Sequence, residues 1–302
     1  MGKLFTQNCL GLYDNGSLIG NNPLETFINY KLLNCSNLKF DCDSSSVVKE
    51  NLEFLFGEGE TTYTDTLISP QSFFTAYLRY YHEDILINDK KSKKLIVPNI
   101  SMIKNEMISK GISEKNKISN SAIWSFYIKE QDIEVHESML EFLDSVYYLS
   151  NFSSVCRGFN LGRVAKTADN FFLALDKIHL FFRSKNNGAS DLELREILSS
   201  FLSEAKVYGK VYLTEKEVIT EVMNWLNSFG SYKEFIEKYC FQSFLEDPYD
   251  SNSKPKELWT GLFDGTRLQP SKEEFISCIE FMTNAIKERG VKMCGIFESK
   301  NK

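Results

Sequence analysis

Four side chains in the middle of the chain have the types and spacing that chemistry would use: Arg157, Arg163, Asp176 and His179. Asp176 and His179 are three positions apart, so on a helix they lie one turn apart on the same side. A carboxylate placed there can orient an imidazole, and such a pair can move a proton as general acid and base. Arg157, with Gly158 after it, and Arg163 stand just before this stretch, which also carries Asp169 and Arg183. Guanidiniums at a helix entrance suit a phosphate, because the free amides and the helix dipole already favour an anion there. The same residues have a plainer reading. Asp near a helix start and Arg near its end complement the dipole, and His179 borders an apolar stripe as a partly buried ring.

Segregated charge is the second feature. Residues 89–117 hold eight lysines against Asp89, Glu106 and Glu114, a local +5 that leaves −11 for the rest of the chain. Lys90, Lys91, Lys93 and Lys94 lead this run and are its candidate interaction residues. A lysine-rich arm can meet phosphates, which makes nucleic acid a candidate partner, or it can meet an acidic protein surface. Nucleic-acid binders usually interleave arginine and stacking aromatics; this stretch has neither, and a solvated charged loop is its other reading.

The short catalytic motifs are missing: no Walker lysine loop, no dinucleotide glycine fingerprint, no Gly-x-Ser-x-Gly elbow and no His-Glu-x-x-His. The three histidines, His82, His136 and His179, have no cysteine pair near them, so no zinc ligand set is formed. The loop Asp247 to Lys254 lacks the order of an EF-hand. The expectation is therefore a chain without metal or cofactor.

The elements that must position these residues are clearest in the second half. Ser138/Glu141, Ser190/Glu193, Thr214/Glu217, Ser231/Glu234 and Ser271/Glu274 each match the capping box that satisfies two amides at a helix start. After the caps, apolar residues recur at helical spacing, as in Leu194, Ile197, Leu198 and Phe201 or Phe275, Ile279, Met282 and Ile286. The helix from Thr214 is expected to stop at Gly230 and the last one at Gly290. A further helix is expected from about Val164 to Arg183, and from residue 138 onward the reading is an all-helical bundle. In the first half, Ser69-Pro70 opens a helix with Phe73, Phe74, Tyr77 and Leu78 on one face. Runs Thr61–Ile68, Lys93–Val97 and Ala122–Ile128 lean toward strands. The expected fold is thus mainly α, with a helical bundle at 136–302 and a smaller mixed α/β region at 1–135.

Composition bounds the rest. The chain has 302 residues, a net charge of −6 and a mean hydropathy of −0.28, with 24 Phe and 14 Tyr. That aromatic content is enough to bury a core and excludes a wholly disordered chain. No run approaches the ~20 apolar residues of a membrane span, and the N-terminus lacks the apolar core of a signal peptide, so a cytoplasmic location without membrane contact is expected. The opening Met1-Gly2 to Thr6 matches the loose myristoylation pattern. Seven scattered cysteines without a Cys-x-x-Cys pair read as reduced thiols.

The stretch Arg157-Gly158 through Arg163, Ala168-Asp169 and Leu175-Asp176-Lys177-Ile178 resembles the centre of an uncharacterised bacterial protein family, as do Trp225 to Phe229 and Tyr232 to Leu245. The chain departs from that pattern at Ser154-Val155-Cys156, where the family tends to carry Asn-Gly-Ala. The resemblance spans roughly residues 150–290. It implies a shared fold and brings no catalytic residue; Arg157, Arg163 and Asp169 gain weight only as structurally specified positions. The functional expectation is a bacterial or phage protein that acts inside the cell by binding another macromolecule, in the setting of host and mobile-element conflict. Its rival is an enzyme or sensor for a phosphorylated small molecule or nucleic acid, with Arg157 and Arg163 on the phosphate and Asp176 and His179 moving the proton.

Overall fold

Helix starts in this chain are set by short polar side chains that accept the first free amides. Ser45, Ser69, Ser119, Ser190, Thr214, Ser231 and Ser271 each cap a helix in this way. The computed structural model describes residues 20–33, 42, 45–57, 63–82, 87–89, 94–96, 99–112, 118–163, 171–207, 209–258 and 270–302. Within them the first half holds α1 (Pro23–Leu33), α2 (Ser46–Phe56), β1 (Tyr63–Thr66), α3 (Pro70–Tyr81), β2 (Ile87–Asp89), β3 (Lys94–Ile96), α4 (Ile100–Ser109) and α5 (Asn120–Gln131). The second half holds α6 (Glu137–Ser145), β4 (Phe152–Val155), α7 (Phe159–Gly162), α8 (Phe172–Asn186), α9 (Asp191–Ser199), β5 (Ala205–Val207), β6 (Lys210–Leu213), α10 (Glu215–Asn227), α11 (Tyr232–Lys238) and α12 (Lys272–Lys300). The fold is mainly α.

Among the described residues three antiparallel strand pairs interrupt the helices: β1 with β4, β2 with β3, and β5 with β6. In the first, Tyr63 faces Val155 and Asp65 faces Ser153, so a strand from the first half pairs with one from the second. The buried apolar residues form one cluster that runs from Phe27 to Met293. Phe73 of α3 stands 5.8 Å from Phe142 of α6 and 6.4 Å from Phe275 of α12. α12 packs along α6, and its Arg289 is fully buried.

Several local expectations meet a different outcome. Ala122–Ile128 is helical, inside α5, because Ser119 caps the first turn and Ala122, Ile123, Trp124, Phe126 and Ile128 are all buried together. A segment buried on several sides has no strict alternation or stripe to mark its period. The strand readings at Thr61–Ile68 and Lys93–Val97 contain β1 and β3. Complete capping boxes form at Ser190, Thr214 and Ser271. At α6 the cap is His136, whose ring accepts from the Ser138 amide, so Ser138 lies one residue too far in. At α11 the Glu234 carboxylate accepts from Gly230 rather than from Ser231. Gly230 keeps ordinary backbone angles, and α12 passes through Gly290 because Ile286 and Met293 on either side remain in the core. The region after 138 also carries β4, β5 and β6, so it is helical with three short strands rather than all-helical. The described part of the helix expected from Val164 starts at Phe172; residues 164–170, with Ala168 and Asp169, lie outside the described residues.

Candidate functional site

Arg157 and Arg163 stand at the two ends of α7, a single turn held against β1 and the β5–β6 hairpin. The strand β4 leads into a turn at Arg157-Gly158, where Gly158 has φ +81°, and a Cβ there would come 2.6 Å from the Leu213 Cδ1. The left-handed backbone is what favours glycine here, and a Cβ would in addition push the end of the Leu213 side chain aside. Gly162 sits as closely against the Ser203 carbonyl, and the Ser203 amide donates to the Gly162 carbonyl at 2.8 Å. These contacts fix where both arginines point.

Arg163 points inward. Its Nη2 lies 3.0 Å from Asp65 Oδ2 and 3.1 Å from Oδ1, with side-chain exposures of 6% for Arg163 and 2% for Asp65. The guanidinium also stands 6.0 Å from the Phe171 ring. Breaking a buried pair by removing one partner leaves an uncompensated charge, which costs about 3–5 kcal/mol. Arg163 is thus held by Asp65 rather than offered to solvent.

Arg157 points outward, half-buried. Its Nε donates to the Tyr212 hydroxyl at 3.0 Å, and its guanidinium carbon lies 5.0 Å from the Tyr212 ring centre. The Tyr63 hydroxyl bonds to the same phenol from β1. The Arg157 bond, followed by the Tyr63 bond, lowers the Tyr212 phenol below its ordinary value. Burial and then the bond to Tyr212 raise Tyr63. Leu161, Val207 and Val211, on α7 and the hairpin, are exposed, as are Tyr63 at 39% and Tyr212 at 44%.

Asp176 and His179 lie on α8, and His179 takes its partners from other elements while Asp176 pairs within the helix. Asp176 pairs with Lys177 at 3.3 Å. His179 is half-buried, its ring edge-on to Tyr232 of α11 at 4.8 Å, and it donates to the Asn252 carbonyl. Desolvation lowers its proton affinity and outweighs the opposing pull of Asp176. The Tyr232 hydroxyl beside it is buried without a hydrogen-bond partner, and burial raises that phenol strongly. Arg157 and Arg163 are therefore brought together around α7, and Asp176 and His179 around the α8–α11 contact.

Lys90, Lys91 and Lys93 lie outside the described residues, and Lys94 falls in β3. Further along the basic segment, Lys110 is paired with Glu106 at 3.0 Å and Glu130 at 3.1 Å. Among the described residues no three His, Cys, Asp or Glu side chains gather as a metal would need, and Cys42, Cys156, Cys240, Cys278 and Cys294 form no disulfide with one another. Asp65, Tyr63 and Tyr212 escape the sequence reading because their partners are distant in the chain; a Thr-Tyr-Thr-Asp-Thr strand carries no sign that its acid meets Arg163. The chain matches no family model, no curated protein and no solved structure, so its arrangement around α7 stands on its own geometry.

Proposed function

We propose that the protein works by binding another protein through the surface around α7 and the β5–β6 hairpin. The observation that supports this reading is the bonded trio of Tyr63, Tyr212 and Arg157, whose two tyrosines are left 39% and 44% exposed beside Leu161, Val207 and Val211. Tyr and Arg are enriched where interfaces concentrate their energy: Tyr brings a large rigid face with a polar tip, and Arg a planar fork of donors that stacks on aromatic rings. The hydrogen bonds between them hold the aromatic faces in place before a partner arrives, which lowers the ordering cost of association. A location inside the cell, in a bacterium or its phage, belongs to this proposal and rests on the sequence alone.

The phosphate-enzyme reading asks Arg163 to leave Asp65 for a ligand, against the cost of a bare buried carboxylate, and asks the α7 and α8 pairs to act on one substrate. The binding reading needs neither. It is tested by crosslinking in the producing cells with the wild type and with the double variant Arg157→Ala, Tyr212→Ala. A stoichiometric protein crosslinked to the wild type and lost in the double variant, with helical circular dichroism unchanged, is the expected result. Equal recovery by both proteins, or a wild type that recovers none, would overturn it.

A further inference from the structure

Arg157 is tied at one edge and open at the other. Its Nε donates to the Tyr212 hydroxyl at 3.0 Å and its guanidinium carbon stands 5.0 Å from that ring, so one side chain fixes the fork. A guanidinium carries five N–H donors in one plane, and this bond uses one of them. Among the described residues no acceptor meets the Nη groups of Arg157 and no carboxylate pairs with its charge. Burial and then the bond to Tyr212 raise the Tyr63 phenol, while the bonds from Arg157 and then Tyr63 lower that of Tyr212. Those directions belong to a Tyr63 that donates and a Tyr212 that accepts. With its oxygen accepting from both neighbours, Tyr212 has its own hydrogen to offer. What Arg157 and Tyr212 have left over is donors.

The neighbouring cations are answered within the chain, Arg163 by Asp65 at 3.0 Å and Lys206 by Glu204. The carboxylates nearest Arg157 do not close the gap. Glu217 is taken up by the α10 cap, where its Oε2 accepts from the Thr214 amide at 2.8 Å, and Glu221 acts on Arg157 through charge alone. They also limit what can arrive. A planar carboxylate brings one negative charge and matches the edge of a guanidinium with two parallel bonds. A phosphate dianion would bring a second charge toward Glu217 and Glu221, and a cation would be repelled by Arg157. The exposed Leu161, Val207 and Val211 alongside are covered by apolar side chains of the same partner, and shedding water there strengthens the ion pair. We propose that this surface recognises one aspartate or glutamate of the partner protein, its carboxylate held by the Nη edge of Arg157 and its apolar neighbours seated on Leu161, Val207 and Val211. The inference rests on the protein-binding reading and names the chemistry that the partner brings to that surface.

The test selects binders to the full chain from a random peptide library displayed on phage, then measures labelled synthetic copies by fluorescence anisotropy. Expected are peptides with an acid among apolar residues, whose affinity falls about tenfold when the acid becomes its amide, the loss of a charge-assisted bond. On Arg157→Gln the acid and the amide should bind alike. Arg157→Lys, which keeps the charge without the planar fork, should recover only part of their difference. Circular dichroism of both variants, expected unchanged, checks the fold. Acid and amide peptides binding equally to the wild type, tighter binding of a phosphoserine version, or a selection that yields no binder would each overturn the assignment. Selected peptides that carry no acid yet are lost in Leu161→Asp would also overturn it, while leaving the protein-binding surface in place. Failure of this inference and failure of that reading are thereby told apart.

Discussion

Arg289 and Arg157 are both bound by neutral oxygens, yet one lies in the deepest part of the core and the other on the surface. Arg289 on α12 donates from Nε to the Tyr239 carbonyl at 3.0 Å and from Nη1 to the carbonyls of Ser150 at 2.5 Å and Phe152 at 2.8 Å. Its guanidinium carbon is 5.0 Å from the Phe241 ring, no carboxylate pairs with it among the described residues, and burial pulls its proton affinity down to about 10. It remains charged at neutral pH. It ties together two backbone stretches: the turn that runs into the first residue of β4, and the end of α11, where Cys240 adopts φ +59°. Arg157 meets a phenol that water also reaches. The lesson is that the number of donors an arginine satisfies does not say what it is for; the alternative partner does. In the core the alternative is an unmet carbonyl, and on the surface it is water or another protein.

The comparison is sharpest in stability. Arg289→Ala removes the donor shared by three buried carbonyls and opens a cavity, and a loss on the order of 5 kcal/mol in urea unfolding is expected. A loss under about 1 kcal/mol would mean that the segments hold themselves and that the guanidinium is incidental. Asp65→Ala comes next, at about 3 kcal/mol or more, because it leaves Arg163 buried without its counter-charge. The double variant Asp65→Ala, Arg163→Met should lose less than the sum of the two single changes, and additive losses would break the claim that the pair is a unit. Gly158→Ala follows at about 2–3 kcal/mol, from left-handed strain together with contact on Leu213.

These sites differ in how far the sequence foretells them. Caps and amphipathic stripes are local, and Ser190, Thr214 and Ser271 are read correctly because the whole signal lies within four residues. The helix at Asn120–Gln131 is missed because its burial on several sides removes the periodic contrast on which the reading depends. Arg163 is legible as a candidate but its partner is not, since Asp65 lies on a strand whose pairing with β4 is decided by tertiary contacts. Arg289 escapes altogether: it sits in a Lys-Glu-Arg-Gly run that reads as a solvated helix end, and only the continuation of α12 past Gly290 turns it inward. Gly158 is singled out only as the neighbour of Arg157, and its close approach to Leu213 is not legible because Leu213 is remote in the chain.

His179 supplies a smaller effect with a definite sign. Its proton affinity is lower folded than the ordinary 6.5 of the free side chain, desolvation being the main cause. The unfolded chain therefore binds the proton more readily, so stability is full above about pH 6.5 and declines as the pH falls below it toward the folded value. Among the charged and polar groups around the ring, Asp176 and the Asn252 carbonyl oppose this lowering while Arg183 and Lys254 add to it. His179→Phe should flatten the pH dependence of the unfolding free energy just below about pH 6.5 relative to the wild type. An unchanged slope would show that the imidazole is as well hydrated in the folded protein as outside it.

The smallest expected effect on stability is the most informative about the surface. Arg157→Ala removes a surface group whose hydroxyl partner returns to water, and the unfolding free energy should stay close to that of the wild type. The same substitution removes the first cause of the lowered Tyr212 phenol, so that phenol should titrate at higher pH than in the wild type. Tyr63→Phe, which deletes the second bond, should move it in the same direction by a smaller step. Ultraviolet difference titration against Tyr212→Phe isolates this one phenol from the others. If Arg157→Ala costs stability on the scale of Asp65→Ala while Tyr212 titrates unchanged, Arg157 belongs with Arg163 and Arg289 as a structural cation, and the contrast between core and surface arginines fails at its surface end. If stability holds and the phenol moves, the trio is organised without being needed for the fold, which is the condition a preformed interface must meet.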